Sequence, residues 1–240
     1  MFARAFQSCL LVPLLLIVFI AMTSTTQAAD DASESKERTL GVLIFPGFEL
    51  LDAYGPLEMW GNIGKQVKVV VVAAKAGEVA SAQGPKTVAE YGFDDCPPLD
   101  LILVPGGIGV LRAANDEETL KWLRTRSSEA EITMSVCNGA SMLAASGILD
   151  GRKATTNKAY WKLATGPGKE VQWIKQARWV DDGNVVTSSG VSAGMDMSLH
   201  VISRLFGDDA ATKLANMTEY EWHRDPTWDP FAELHGLADN

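Results

Sequence analysis

The sequence predicts an α/β fold in which a mainly parallel sheet lies between helices. Short apolar runs alternate with longer stretches of helical spacing along the whole chain, as expected for a parallel sheet covered by helices. The chain shows no internal repeat, no low-complexity segment and no sign of a second domain. These observations together favour one large domain with a repeated strand-then-helix order.

The apolar runs are the predicted strands, and the stretches between them are the predicted helices. The strands are expected within 39–45, 67–74, 99–107, 131–136 and 183–189. The helices are expected within 50–64, 115–130, 138–151 and 192–207. Asn115 or Asp116 is a suitable N-cap for the second helix, because either side chain can accept a hydrogen bond from a free backbone N–H.

The two ends of the chain differ from the body. Residues 1–28 combine Arg4, an apolar run and a small-residue end, which predicts a signal peptide cleaved after Ala28 or Ala29 and a secreted or periplasmic protein. A retained membrane anchor is the weaker alternative, because the run is short and contains Pro13. Residues 29–38 are polar and predict a disordered lead-in. Residues 223–240 are expected to form a solvated acidic tail, which leaves a domain over 39–222.

Charge and cysteine content narrow the class of function. The net charge of −9 becomes −10 once Arg4 is removed, and no basic block is present, so neither nucleic acid nor an anionic membrane surface is an expected partner. A small soluble substrate or a protein remains. Cys96 and Cys137 stay in the mature chain. A disulfide between them is possible in an oxidising compartment, but we expect Cys96 to be reduced and remote from any chemistry.

The residues that follow the predicted strands are the first functional candidates, since ligands of such sheets bind beyond the carboxyl ends of the strands. Cys137 ends a strand and is followed by small residues, which is typical of a nucleophile elbow. The following helix N-terminus would favour the thiolate, so we expect a thiol pKa well below the ordinary value. An inert buried cysteine is the alternative interpretation.

Two further junctions offer partners for this cysteine. Gly106 and Gly107 could donate backbone N–H groups to a developing anion beside Cys137. Without that cysteine nearby, a tight turn would be the better interpretation. A dinucleotide site is not expected, because Arg112 stands where its third glycine belongs. Asp52 lies in an apolar context where a carboxyl with a raised pKa could exchange protons, or it could face solvent, with Glu49 as the competing carboxylate.

Taken together, these junctions resemble the ThiJ/PfpI superfamily, whose fold is the class I glutamine-amidotransferase-like, flavodoxin-like sandwich. The matching segments are FPGFELLDAYGPLE, DCPPLDLILVPGGIG, SVCNGASMLAASGILDGRKATTN and VVTSSGVSAGMDMSLHVISRLFG, which extend over nearly the whole mature chain. Within the superfamily the chain is most similar to the isonitrile hydratase branch and to the amidotransferase-like half of certain transcription regulators. The resemblance implies a homodimer and a lyase acting on a small electrophile without a metal or cofactor.

The resemblance also implies roles for individual residues. Cys137 would be the nucleophile, Asp52 the acid, and Gly106, Gly107 and the Asn138 N–H the oxyanion donors. Asn138 replaces the threonine that is usual in isonitrile hydratases, and could orient water or the substrate.

A second departure lies at Asn157, which stands where the wider group commonly has histidine. Tyr54, Trp60, Tyr160 and Trp161 are candidates to line an apolar pocket with it, or to be core residues.

Two of the histidines are weak candidates for a site. His200 is expected to pack within a helix, and Glu219 with His223 could touch a metal but do not make a site.

The same residues allow other classes of function. The cysteine could instead serve as an oxidation sensor, or the domain as a ligand-binding module or as another hydrolase or glyoxalase of the superfamily. An enzyme ranks first, and a transcription regulator is disfavoured because no DNA-binding segment follows Tyr220.

Overall fold

A computed structural model describes residues 36–237 and contains a mainly parallel sheet flanked by helices. The strands are β1 (Arg38–Leu43), β2 (Val67–Val72), β3 (Gly77–Ala80), β4 (Lys86–Ala89), β5 (Leu101–Val104), β6 (Ile132–Ser135), β7 (Lys153–Ala154), β8 (Gln172–Trp173), β9 (Trp179–Asp181) and β10 (Val185–Ser188). The central sheet has the order β2-β1-β5-β6-β10-β9, in which only β9 is antiparallel to its neighbour.

The helices form two groups that pack among themselves. The helices are α1 (Leu50–Gly61), α2 (Val110–Ala113), α3 (Glu117–Glu129), α4 (Ala140–Ala145), α5 (Trp161–Thr165), α6 (Ala193–Phe206), α7 (Asp208–Met217) and α8 (Pro230–Leu234), with 3-10 turns at Gly64–Gln66 and Cys137–Gly139. The first group contains α1, α6 and α7, and the second contains α2 to α5. The predicted α/β fold is confirmed, and Asp116 caps α3 by accepting the Thr119 N–H.

The core explains why the apolar runs were informative. Every residue of β5, β6 and β10 is buried, because a parallel sheet covered on both faces has no solvent side. Trp60, a candidate for the pocket, is fully buried and belongs to this core. The carboxyl ends of β1, β5, β6 and β10 meet at one edge, so the residues that follow these strands converge.

The structure corrects the predicted tail. The segment after residue 222 was expected to be solvated, but it turns back onto the domain, forms α8 and buries Asp229 and Ala232. The predicted disordered lead-in over 29–38 extends too far. Arg38 already belongs to β1, and Lys36 pairs with Asp100 at 2.6 Å. The predicted signal peptide and the rest of the lead-in lie outside the described residues. Between residues 36 and 237, no helix has the length and apolar character needed to cross a membrane.

Candidate active site

Cys137 occupies a strained turn between β6 and α4. Its φ of +57° is unusual for a residue with a side chain and is typical of a nucleophile elbow. The turn packs so closely on β5 that a Cβ at Gly139 would lie 2.7 Å from the Pro105 carbonyl oxygen, so glycine is required there. Thr156 supports the turn from the other side by donating its hydroxyl to the Cys137 carbonyl at 2.9 Å. The elbow prediction is therefore confirmed in its backbone geometry.

Asp52, in the first turn of α1, is buried next to this cysteine. Its Oδ2 accepts the Gly106 N–H at 2.8 Å, while Oδ1 has no well-directed hydrogen bond within residues 36–237. Burial raises the pKa of Asp52 to about 8; the Gly106 N–H opposes this rise, the Glu49 charge adds to it, and a hydrogen bond with Cys137 opposes it. The carboxyl therefore carries a proton at neutral pH, which favours the protonated interpretation over the solvent-facing one.

The thiol pKa of Cys137 is shifted upward, whereas the sequence predicts a downward shift. Its pKa is raised well above the ordinary value, first by burial at 4% exposure and then by the charge of Asp52. Hydrogen bonds from the Asn138 N–H and the Asn157 side chain lower that pKa but do not outweigh burial. The expectation of a low thiol pKa was wrong because a helix N-terminus cannot offset the loss of water around the sulfur. Asp52 and Cys137 therefore titrate as a coupled pair.

The glycine loop after β5 does not present free donors. The Gly106 N–H donates to Asp52, and the Gly107 N–H donates to Asn138 Oδ1 at 2.7 Å. Asn138 Nδ2 also donates to the Gly107 carbonyl at 3.2 Å, so the amide fastens the elbow to the loop from both sides. Both glycine N–H groups thus have protein acceptors in this structure, and their oxyanion role stays a prediction. The Asn138 side chain is occupied in holding the loop. Of the three predicted oxyanion donors, the Asn138 backbone N–H is the one that hydrogen-bonds the sulfur.

A cavity of about 260 Å³ is lined by Asn157 and by Leu51, the residue before Asp52, but not by Asp52 or Cys137 themselves. Asn157 accepts the Tyr160 N–H with its Oδ1 at 3.1 Å, which leaves its NH₂ group for the sulfur. The predicted pocket residues are only partly brought together here. Tyr160 and Trp161 line a neighbouring cleft, and Tyr54 bonds Thr87 at 2.9 Å away from the cavity. The lining that sequence reasoning missed comes from residues 189–192 and from the C-terminal segment.

The remaining polar candidates lie elsewhere. Glu49 is held by the Gln83 amide at 2.6 Å, and His200 pairs with Asp181 at 2.7 Å rather than acting only as a packing residue. The His223 ring stacks on Trp228 with centroids 4.2 Å apart. Residues 36–237 hold no cluster of side chains able to bind a metal ion.

Both remaining cysteines are free in the structure, so they do not form a disulfide. Cys96 lies in the loop before β5, as expected, and is buried there.

Comparisons with known proteins agree with the fold. Residues 38–204 match the model of the DJ-1/PfpI family. The chain is 37% identical to isonitrile hydratase from Pseudomonas putida, covering 75% of this chain and 78% of that protein. It is 26% identical to the transcriptional regulator GbdR from Pseudomonas aeruginosa, covering 77% of this chain but only 51% of the regulator's length.

Solved structures show the same likeness. A THiJ/PfpI family protein from Pseudomonas syringae superposes with a TM-score of 0.73 at 32% identity, covering 88% of this chain and 85% of that one. Drosophila melanogaster DJ-1beta shares the fold with a TM-score of 0.68 at 19% identity, covering 78% of this chain and all of that one. With the elbow cysteine, the buried acid and the family match in agreement, this chain belongs to the DJ-1/PfpI family.

Proposed function

We propose that this protein hydrates isonitriles to N-substituted formamides through a covalent intermediate on Cys137. The observation that carries the proposal is the buried Asp52 carboxyl, which holds a proton at neutral pH beside the elbow sulfur. The similarity to isonitrile hydratase from Pseudomonas putida supports the same reaction. Isonitrile hydration needs one nucleophile and one proton donor and acceptor, and no histidine base is required.

The first step uses the pair when it holds a single proton. In this state Asp52 is the carboxylate and Cys137 the thiol. The sulfur gives its proton to Asp52 as it attacks the terminal isonitrile carbon, and Asp52 delivers that proton to the carbon. The new C–S and C–H bonds give a neutral thioimidate on Cys137, and Asp52 is left as a carboxylate. The Asn138 N–H and the Asn157 amide stabilise the negative charge that develops on the sulfur as its proton leaves.

The second step returns the proton. The Asp52 carboxylate takes a proton from water as the oxygen adds to the thioimidate carbon, and that proton passes to the substrate nitrogen. The C–S bond then breaks while the hydroxyl proton goes to Asp52, which releases the formamide. That proton returns to the sulfur and restores the pair with one proton. No net charge is created in either step, which suits a site where an unpaired charge is costly.

An oxidation sensor is less well supported by the same geometry. A sensor needs an exposed thiol of low pKa, whereas the Cys137 sulfur is buried and its pKa is raised. A homodimer and export from the cytoplasm stay predictions.

The test is conversion of a small alkyl isonitrile by the purified protein, followed by chromatography of the formamide. We expect turnover by the wild-type protein and by the Cys96→Ser variant, and none by Cys137→Ala. Acid quenching during turnover should trap the mass of one isonitrile on the peptide that contains Cys137. Lack of formamide with every isonitrile tested would refute the proposal.

A further inference from the structure

The C-terminal segment 225–237, here called the strap, forms one wall of the cavity beside Cys137. Phe231 and His235 of the strap face Leu51, Asn157 and Val191 across this space. Leu51 precedes the acid Asp52, and the Asn157 amide contacts the Cys137 sulfur. Neither Cys137 nor Asp52 lines the cavity, so Asn157, which lines it and hydrogen-bonds the sulfur, connects the cavity to the pair.

A buried ion pair fastens the strap. Lys158 Nζ and Asp229 Oδ2 are 3.0 Å apart, and each side chain is only 1% exposed. Ser189 donates to the same carboxylate at 3.3 Å, and Asp229 Oδ1 accepts the Phe231 N–H at 3.0 Å at the start of α8. These bonds fix the strap beside Asn157, which adjoins Lys158 in the chain.

A second anchor acts on the strap before α8. The Arg178 N–H donates to the Pro226 carbonyl at 2.6 Å, and its guanidinium lies 5.4 Å from the centroid of the Trp228 ring. The same guanidinium pairs with the buried Asp196 at 2.7 Å.

The charges around the cavity cancel. Its two cations, Lys158 and Arg178, are each compensated by a buried carboxylate, so they offer no free charge to a ligand. The remaining wall is mixed: Leu51, Ala159, Val191 and Phe231 are apolar, and the other side chains are Asn157, Ser189, Ser192 and His235. The volume of about 260 Å³ lies below the roughly 300–1,000 Å³ usual for sites of drug-sized ligands. Such a space suits a compact, uncharged organic group.

We propose that the strap selects the substrate, with Phe231 as the residue that limits the size of the organic group next to Cys137. The proposal rests on the proposed function, since that organic group is the substituent of the isonitrile. Phe231 is suited to this task because its ring is 43% exposed, so it bounds the cavity without being needed for the core. Leu234 lies on the same helix, is 72% exposed and does not line the cavity, which makes it a matched control.

The experiment measures alkylation of Cys137 by N-substituted iodoacetamides of increasing bulk, read by peptide mass spectrometry in a Cys96→Ser background. The readout is the ratio of the rates with a bulky and a small reagent. We expect Phe231→Ala to raise this ratio about tenfold, as for other changes of pocket size, and Phe231→Trp to lower it. Leu234→Ala should leave it unchanged, and thermal unfolding of each variant verifies its fold.

Each other outcome overturns the proposal. An unchanged ratio in both Phe231 variants, or an equal change in Leu234→Ala, would mean that the strap does not control size. Failure of every reagent to label Cys137 in any variant would mean that the cavity does not lead to the sulfur. Labelling needs no turnover, so a protein that obeys the size rule but converts no isonitrile would disprove the proposed function and leave the strap's role standing.

Discussion

Asp52 and Asp229 are both buried carboxyl groups, but the protein neutralises them in different ways. Asp229 faces Lys158 at 3.0 Å, so opposite charges compensate each other inside the domain. No cation pairs with Asp52 within residues 36–237; its neighbours are a backbone N–H and a thiol, and its pKa rises to about 8. Burial with a countercharge gives a structural anchor, whereas burial without one gives a group that holds a mobile proton. Only the second arrangement can perform acid–base chemistry.

The largest effect is expected from breaking the compensated pair. Lys158→Met removes the cation and leaves Asp229 buried and unpaired, which should lower the free energy of unfolding by about 3–5 kcal/mol. Chemical denaturation at pH 7 measures this change. The double variant Lys158→Met/Asp229→Leu removes both charges and should recover most of the loss. Equal stability of the single and double variants would show that the two charges do not depend on each other.

Asp52→Asn should impair catalysis without destabilising the fold. Turnover should fall on the order of a hundredfold or more, because the amide cannot transfer the proton. Slow alkylation of Cys137 should persist. Glu49→Gln, by comparison, should leave the maximal rate nearly unchanged, since Glu49 acts on the pair only through its charge. A larger loss of turnover in Glu49→Gln than in Asp52→Asn would identify Glu49 as the acid instead.

Asp52→Asn should also change how stability depends on pH. The pKa of Asp52 is about 8 in the folded protein and near 3.8 in the unfolded chain, so the folded state binds more protons between these values. Stability must therefore fall as pH rises from about 4 to 8 through this group. Asp52→Asn should remove this dependence and stabilise the protein by as much as about 4 kcal/mol at pH 7. Denaturation curves across this pH range measure the effect. A variant whose stability depends on pH as steeply as that of the wild type would contradict the assignment.

A smaller effect is expected on the pH profile of the reaction. The productive pair holds one proton, so kcat/KM should rise with pH as the first proton leaves, near the Asp52 pKa of about 8, and fall when the second leaves. The Glu49 charge raises the pKa of both members. Glu49→Gln should therefore move the rising limb to lower pH by a fraction of a unit. An upward movement would mean that Glu49 stabilises the proton-free pair.

The contrast between local and distant contacts also explains what the sequence could predict. The strands were found because β5, β6 and β10 are buried throughout and appear as continuous apolar runs, whereas β7 and β8 have two residues each. The elbow was found because its turn is encoded by adjacent small residues.

The errors concern contacts between distant segments. The Asn138 amide fastens the Gly107 loop, and Asp229 meets Lys158 across more than 70 residues of sequence. The sign of the Cys137 pKa shift depends on how much water the assembled fold excludes, which no local pattern records.

The central claim is that Asp52 carries a proton beside Cys137 at neutral pH, and infrared spectroscopy tests it most directly. The difference spectrum between the wild-type protein and Asp52→Asn isolates the carboxyl group of this residue. We predict the C=O stretch of a protonated carboxylic acid at pH 6 to 7, replaced by carboxylate bands as the pH passes about 8. Carboxylate bands already present at pH 6 would show that Asp52 is ionised. This result would contradict both the protonated state of Asp52 at neutral pH and the mechanism proposed from it.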